Sequence, residues 1–353
     1  MFLALKEIQY YKSRYRLVVG VIFLITYMVF FLSSLAEGLA RNNRLALESF
    51  GADTVLLSDY ANKNLVSSSI DEESVMPYLD QEKVAQLGQL AVVANQEGQT
   101  KKVNAQVFGL DWQSFLAPQV IQGRAAKMTG ELVVDQSLEQ KGLKLGDKLQ
   151  LNGSTKVYEI VGLTKEQLFF TQPVLFMSLD DFRELKYGSN QLKKSSALFI
   201  KRGENLAIKD LSQLSLKQVI ENIPGYQAQV LTFRFMIGAM VVITFLVLGI
   251  FIYILTIQKI SLYGIMRAQG IATKTIIWSI FCQIFILASL GMTLAALCLL
   301  GTQPFLPPSM PFYSDWQAYA VLTGAILIMS LAGGFLSIRK VWQIDPLQAI
   351  GGE

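Results

Sequence analysis

Long apolar segments that contain no charged residue are separated by polar segments along this chain. Four of them are present, at residues 17–36, 235–257, 275–301 and 316–338. Each reaches the roughly 20 apolar residues that a helix needs to cross a lipid bilayer. A buried helix of a soluble protein would account for one such segment, but four together predict four transmembrane helices.

The first segment has a second interpretation, as a cleavable signal peptide. The basic stretch KSRYR precedes it, and the SLA at its end resembles a cleavage site. Its apolar part is longer than the about 7–15 residues of a signal-peptide core, so a transmembrane helix is favoured.

Residues 37–233 have the pattern of a folded domain. Apolar runs typical of strands occur in VNAQVFGL, ELVVD, PVLFMSL and ALFIKRG, and two alternating runs flank Asn152-Gly153, which indicates a hairpin. Helices are predicted over 81–89, 135–142, 179–186 and 206–223. The predicted fold class is an α-helical membrane protein with four transmembrane helices and one extracytoplasmic α+β domain.

The distribution of charge sets the expected orientation. Ten of the 31 Lys and Arg residues and four of the 27 acidic residues lie outside 37–233, so the flanks carry +6 and the middle block −2. Cytoplasmic loops of membrane proteins are enriched in Lys and Arg. We therefore expect a multi-pass protein of the cell membrane with both termini in the cytoplasm.

Six segments follow from these patterns. They are the cytoplasmic N-terminus with the first transmembrane helix (1–36), the extracytoplasmic α+β domain (37–233), the second transmembrane helix (234–257), a cytoplasmic segment (258–274), the third and fourth transmembrane helices with a short outer loop (275–338) and a cytoplasmic tail (339–353).

Residue types that the chain lacks exclude several kinds of chemistry. There is no histidine, which excludes a Ser-His-Asp triad, histidine zinc sites and histidine ligation of haem. The dipeptide Gly-Lys does not occur, so the chain holds no P-loop, and the apolar segments contain no Asp or Glu for intramembrane proteolysis. The sequence has no concentrated basic patch of the kind that would indicate nucleic-acid binding. These absences, with 52% hydrophobic and 16% charged residues, favour a membrane protein that is not itself an enzyme and has no intrinsic cofactor.

Two stretches resemble a known superfamily. Residues 142–164, GLKLGDKLQLNGSTKVYEIVGLT, are similar to the periplasmic core domain of ABC-type permeases of the FtsX/MacB superfamily, and residues 257–271, IQKISLYGIMRAQGI, resemble their cytoplasmic loop. The ending IDPLQAIGG resembles their C-terminal tail. Within the superfamily, YILTIQKISLYGI, the MPFY at 310–313 and the ending are most similar to the haem-exporter permeases called HrtB.

The resemblance implies a function and partners. It implies the permease subunit of an ATP-driven exporter, a homodimer that works with two copies of a separate ATPase in which ATP-Mg binds. Haem taken from the membrane lipid and extruded for detoxification is the implied substrate. Other members of the superfamily export peptides or lipoproteins, or transmit force to a partner such as a cell-wall hydrolase, and these alternatives stay open.

The resemblance also makes the cytoplasmic segment a candidate for coupling to the ATPase. Glycine allows close approach of backbones, and an arginine can face an acidic groove. The candidate residues are Tyr263, Gly264, Arg267 and Gly270. The alternative is an ordinary connector that its cations hold at the lipid headgroups.

A haem substrate needs an iron ligand, cations for its propionates and flat apolar walls. With no histidine, a methionine, a tyrosine or a carboxylate must ligate the iron. Glu37 and Met236 are the candidates, and Arg234 is the candidate for a propionate. Apolar contacts are expected from Met28, Phe31, Phe50 and Met240. The alternatives are a charged pair at the membrane boundary for Glu37 and Arg234 and ordinary packing for the apolar residues.

Overall fold

A computed structural model describes residues 2–80, 82–97, 99, 102–201 and 206–342 of the chain. The chain divides into two compact units, one formed by Met1–Gly38 with Val230–Glu353 and the other by Leu39–Gln229. The first unit is helical, and the second contains the β-strands.

The helices are α1 Phe2–Tyr10, α2 Lys12–Ser49, α3 Glu72–Val75, α4 Ser137–Gln140, α5 Leu179–Tyr187, α6 Leu216–Glu221, α7 Tyr226–Ile257, α8 Ile260–Ala268, α9 Thr273–Thr302 and α10 Trp316–Trp342. The strands are β1 Thr54–Ser58, β2 Ile70–Asp71, β3 Val84–Gln96, β4 Lys102–Leu110, β5 Val120–Gly123, β6 Glu131–Asp135, β7 Lys148–Leu151, β8 Val157–Thr164, β9 Leu168–Phe169, β10 Gln172–Ser178, β11 Lys194–Ser195, β12 Ala197–Ile200 and β13 Leu211–Ser215.

Four helices of the described chain are long and apolar enough to cross a membrane. They cover Lys12–Ser49, Tyr226–Ile257, Thr273–Phe305 and Trp316–Phe335. Each contains most of one of the charge-free segments, so the prediction of four candidate transmembrane helices is confirmed. α2 continues to Ser49, well past the end of its apolar segment, and α7 begins at Tyr226, well before the start of its own. The polar residues of these extensions contain neither a proline nor a glycine cap that would stop the helix.

Small residues allow the long helices of the first unit to pack closely. A Cβ atom at Gly291 of α9 would lie 2.7 Å from Ile22 Cγ2 of α2, and one at Gly333 of α10 would lie 2.9 Å from the backbone N of Gly249 in α7. Such glycines bring helix backbones together in membranes, where dispersion contacts rather than water exclusion hold helices in place. The buried cluster of this unit therefore includes side chains from all four long helices.

Six strands of the second unit pair in a closed ring. β3 pairs with β4, β4 with β10, β10 with β6, β6 with β8, β8 with β7, and β7 returns to β3. The β4–β10 and β6–β8 pairs are parallel and the others antiparallel. Because buried side chains from every one of the six strands share one hydrophobic cluster, that cluster fills the interior of the ring, as in a small barrel.

The α5 helix packs against this ring at a pair of glycines. Gly88 of β3 and Gly109 of β4 are opposite each other in the antiparallel ladder. A Cβ atom at either position would lie 2.3 Å from an atom of Phe182, which is fully buried. The missing side chains make the space that the Phe182 ring occupies.

The hairpin and the four strand predictions are confirmed, and so is the helix over 179–186, which is α5. The helix predicted over 81–89 is wrong, because β3 begins at Val84 and its first residues are buried on both faces, which removes the alternation that marks a strand. The prediction over 206–223 is wrong over its first half, where 211–215 pair with β1. Only one helical turn, α4, forms within 135–142.

Candidate substrate site and coupling segment

The loop 306–315 covers the part of α2 that holds Glu37, directly after the apolar segment 17–36. The backbone N–H of Tyr313 donates to the carbonyl of Ser34 at 3.1 Å, and the Ser34 hydroxyl bonds to the Tyr319 hydroxyl. A Cβ atom at Gly38 would lie 2.2 Å from the carbonyl oxygen of Pro311, so only glycine allows this approach. Glu37, half-buried, directly precedes this contact.

The predicted apolar residues of α2 differ in exposure. The ring centroid of Phe31 lies 6.0 Å from that of Tyr27 and 5.8 Å from that of Phe312, so the loop 306–315 covers part of Phe31. Met28 is 43% exposed. Met28 therefore lies on the outside of the helical unit, where lipid, substrate or a second copy can reach it.

The predicted residues of α7 divide in the same way. Arg234 and Met236 are exposed, whereas Met240 is half-buried and packs against the same hydrophobic cluster as Phe31. The structure thus brings Phe31 and Met240 to one cluster and leaves Met28, Arg234 and Met236 on the surface of the helical unit.

Phe50 lies in the other compact unit. Its ring is 5% exposed, with centroids 5.4 Å from Phe199 and 6.0 Å from Phe108. It belongs to the cluster between α2, α6 and the sheet. Contact between Phe50 and a substrate would require this core to open, so we do not include Phe50 in the proposed site.

The coupling segment folds as the helix α8. Lys259 is its N-cap residue, and Gly270, with φ +89°, follows its last turn. The N–H of Ile271 donates to the Met266 carbonyl and the N–H of Gly270 to the Arg267 carbonyl, both at 3.0 Å, which is the Schellman arrangement. Gly270 therefore ends α8, because the left-handed conformation there favours glycine.

The candidate coupling residues lie on different faces of α8. Tyr263 and Gly264 are buried against α7 and α9, and burial raises the pKa of the Tyr263 phenol. Arg267 is half-buried, whereas Leu262 and Ile265 are 40% and 45% exposed. The exposed surface of α8 therefore includes two large apolar side chains, Leu262 and Ile265.

A buried polar cluster beside α8 was missed by the sequence predictions. Lys259 Nζ lies 2.7 Å from the Tyr15 hydroxyl and 3.4 Å from Glu7 Oε2, and the Tyr15 hydroxyl donates to Gln283 Oε1 at 2.8 Å. Gln283 Nε2 donates to Glu7 Oε2. Burial lowers the pKa of Lys259, while Glu7 opposes that effect. We call Glu7, Tyr15, Lys259 and Gln283 the Glu7–Lys259 cluster.

Two sequence signals point to this cluster. Glu7 is the only acidic residue before the first apolar segment, and Gln283 is the only Asn or Gln in the segment 275–301. The C-terminal motif IDPLQAIGG, at 344–352, lies outside the described residues. Within the described part of the chain, no group of three or more Cys, Asp and Glu residues is arranged to hold a metal ion.

Comparisons with known proteins identify the family. Residues 234–346 match the family model described as FtsX-like permease C-terminal. A protein of Staphylococcus haemolyticus, named as a proposed hemin transport system permease protein, HrtB, is 32% identical over 360 residues, which cover 100% of this chain and 99% of the relative. The chain belongs to the HrtB-type family of FtsX-like ABC transporter permeases. The resemblance to FtsX-like permeases, and among them to HrtB, is confirmed.

Other relatives include an HrtB of Staphylococcus epidermidis with the same name, 29% identical over 100% of this chain and 99% of its own length. The extracellular domain of the ABC-type transporter YknZ from Gram-positive bacteria has a solved structure that is 15% identical, with a TM-score of 0.32, and covers 42% of this chain and 82% of its own. HrtB-type permeases are subunits of ABC transporters, and the four apolar helices make this chain a multi-pass membrane protein.

Proposed function

We propose that this chain is the permease subunit of an ATP-driven exporter that extrudes haem from the membrane. The observation that carries the proposal is the similarity over the full chain to permeases named for hemin transport. The ATPase is a separate subunit, present in two copies, and the permease acts as a homodimer.

The proposed orientation follows from charge. The Lys and Arg residues of 1–16 and of 258–274 are cytoplasmic. The α/β unit is extracytoplasmic, with the closed strand ring as the counterpart of the MacB-like core domain. The exposed face of α8, with Leu262, Ile265 and the half-buried Arg267, then lies on the cytoplasmic side of the membrane, where the ATPase binds ATP. An apolar helix face with one cation fits a groove on the ATPase.

The proposed substrate site lies where the apolar segments of α2 and α7 have their outer ends, remote from α8. Met28 and Met236 are exposed there, and Arg234 is exposed two residues before Met236, where its guanidinium can pair with a propionate. Glu37 and Met236 are the proposed iron ligands, and Phe31 and Met240 form the apolar base. On an ideal helix Met28 and Glu37 lie on opposite faces, so one copy supplies one of them and the second copy the other.

The test is purification with the partner ATPase, followed by absorbance spectra with added haem and growth of cells on toxic haem. We expect the wild-type complex to shift the haem spectrum and to protect cells, and Glu37→Ala with Met236→Ala to lose both effects. Leu246→Ala is the matched control, because Leu246 is 50% exposed on the same helix as Met236.

The possible results separate the alternatives. A double variant that keeps the wild-type spectrum and haem resistance would show that the site is wrong. A wild-type complex that ignores haem, but whose ATP hydrolysis responds to peptides or depends on an extracytoplasmic partner, would replace haem export with one of the other functions of the superfamily.

A further inference from the structure

Glu7 and Lys259 are a carboxylate and a lysine that are buried together in an apolar helical unit. Their exposures are 7% and 5%, and the nitrogen and oxygen are 3.4 Å apart. Removing two charged groups from water costs several kcal/mol for each, and the attraction between them often does no more than offset that cost. The burial of this ion pair is therefore weak evidence for a stabilising role, which makes Glu7 and Lys259 candidates for a functional one.

The hydrogen bonding of the cluster is incomplete, which argues against a purely stabilising role. Within the described part of the chain, Glu7 Oε1 is buried and has no hydrogen-bond partner. A buried acceptor without a partner costs free energy that an apolar pair of the same shape would avoid.

The cluster joins four elements at one point. Glu7 is on α1, Tyr15 on α2 and Gln283 on α9. Lys259 is the residue from which α8 starts, because its carbonyl accepts a hydrogen bond from the N–H of Tyr263 at 3.0 Å. The Lys259 side chain contacts both Glu7 and Tyr15. Any displacement of the start of α8 must therefore move α1 and α2 or break these bonds.

We infer that Glu7 and Lys259 are positioning residues that tie the start of α8 to α1 and α2, so that movement of α8 by the ATPase reaches the first transmembrane helix directly. Without this tie, α8 would act on α7 and α9, the helices that it joins in sequence, and on α2 through the exposed hydrogen bond from Arg14 Nη1 to Gln258 Oε1. The inference rests on the proposed function in that an ATPase is the source of the movement.

The experiment uses the complete permease with its ATPase and two spin-label reporters, Ser261→Cys on α8 and Leu24→Cys on α2, after replacing Cys282 and Cys298 by serine. Both Ser261 and Leu24 are exposed. The distance between the labels of the two copies is measured without nucleotide and after vanadate trapping. In the wild type we expect both distances to change.

In Lys259→Met and Glu7→Gln we expect the α8 distance to change as before and the α2 distance to change much less than in the wild type, since only the exposed Arg14–Gln258 hydrogen bond then joins α2 to the start of α8. We also expect transport per ATP hydrolysed to fall about tenfold, within the range seen when residues between coupled sites are replaced. The charge-exchanged variant Glu7→Lys/Lys259→Glu should restore both. Lys12→Met, which removes an exposed cation from α2, is the control and should behave as the wild type.

An α2 distance in Lys259→Met that changes as in the wild type overturns the inference. If a single variant fails to assemble, the neutral pair Glu7→Gln/Lys259→Met leaves no buried charge and is used instead: loss of its α2 response supports the tie, and retention refutes it. If both label distances of the wild type change after vanadate trapping but the complex transports no haem, the proposal of haem export is wrong and the positioning role stands.

Discussion

Replacing Gly38 by alanine should weaken the packing of the loop 306–315 against α2. The added Cβ atom would lie 2.2 Å from the carbonyl oxygen of Pro311, 2.5 Å from its carbonyl carbon and 2.8 Å from the backbone N of Phe312. All three atoms belong to the backbone, so a side-chain rotation cannot relieve the contact. The loop must move by about 1 Å or more to restore ordinary contact distances.

Two effects of opposite sign determine the magnitude. Overfilling a packed site costs about 1–3 kcal/mol, whereas replacing glycine by alanine inside a helix contributes about 0.5–1 kcal/mol. Gly20 is the matched control, because it lies in the same helix and a Cβ atom there would have no atom within 4 Å. The difference in stability between Gly38→Ala and Gly20→Ala therefore isolates the contact, at about 1–3 kcal/mol.

The assay is the thermal unfolding midpoint of the purified permease in detergent, together with haem titration of the complex. Gly20→Ala should unfold at or slightly above the wild-type midpoint, and Gly38→Ala several degrees below Gly20→Ala. Haem affinity should fall only in Gly38→Ala, since the displaced loop adjoins Glu37 and Phe31. Equal midpoints and equal affinities in the two variants would refute the close packing of this loop against α2.

Three further predictions concern the α/β unit. Hydrogen bonds from Arg124, and then from two backbone N–H groups, lower the pKa of Glu131 to about 2 against the effect of burial. The wild type should therefore be more stable than Glu131→Gln by an amount that is complete above the ordinary glutamate pKa of 4.5 and shrinks as the pH falls towards 2. The difference between the two unfolding midpoints measures this amount, and a constant difference over the pH range would contradict the ion pair. Phe182→Ala should cost about 3–5 kcal/mol because the ring is fully buried, which denaturant titration measures, and a loss below about 1 kcal/mol would show that α5 is not packed as described. A cysteine in place of Ser154 should react with an impermeant maleimide in intact cells, and reaction only after permeabilisation would reverse the proposed orientation.

Local patterns in the sequence were sufficient for much of the architecture. The charge-free segments predict the candidate transmembrane helices because a bilayer demands a continuous apolar length that no other environment requires so strictly. The hairpin around Asn152-Gly153 was also predictable, since both residues adopt positive φ, which Asn and Gly tolerate best. The HrtB-type resemblance was present in short motifs of the inner loop, of residues 310–313 and of the C-terminal ending.

Only the tertiary structure decided which of these residues meet. The helix predicted over 81–89 became the strand β3 because neighbours on both faces buried it, and periodicity cannot report such neighbours. Phe50 follows α2 directly, yet its ring fills the core of the α/β unit. Glu7 and Lys259 are 252 residues apart in sequence, so no local pattern could pair them. Their contact depends on how α1, α2 and α9 pack around the start of α8, and that packing is a property of the folded chain alone.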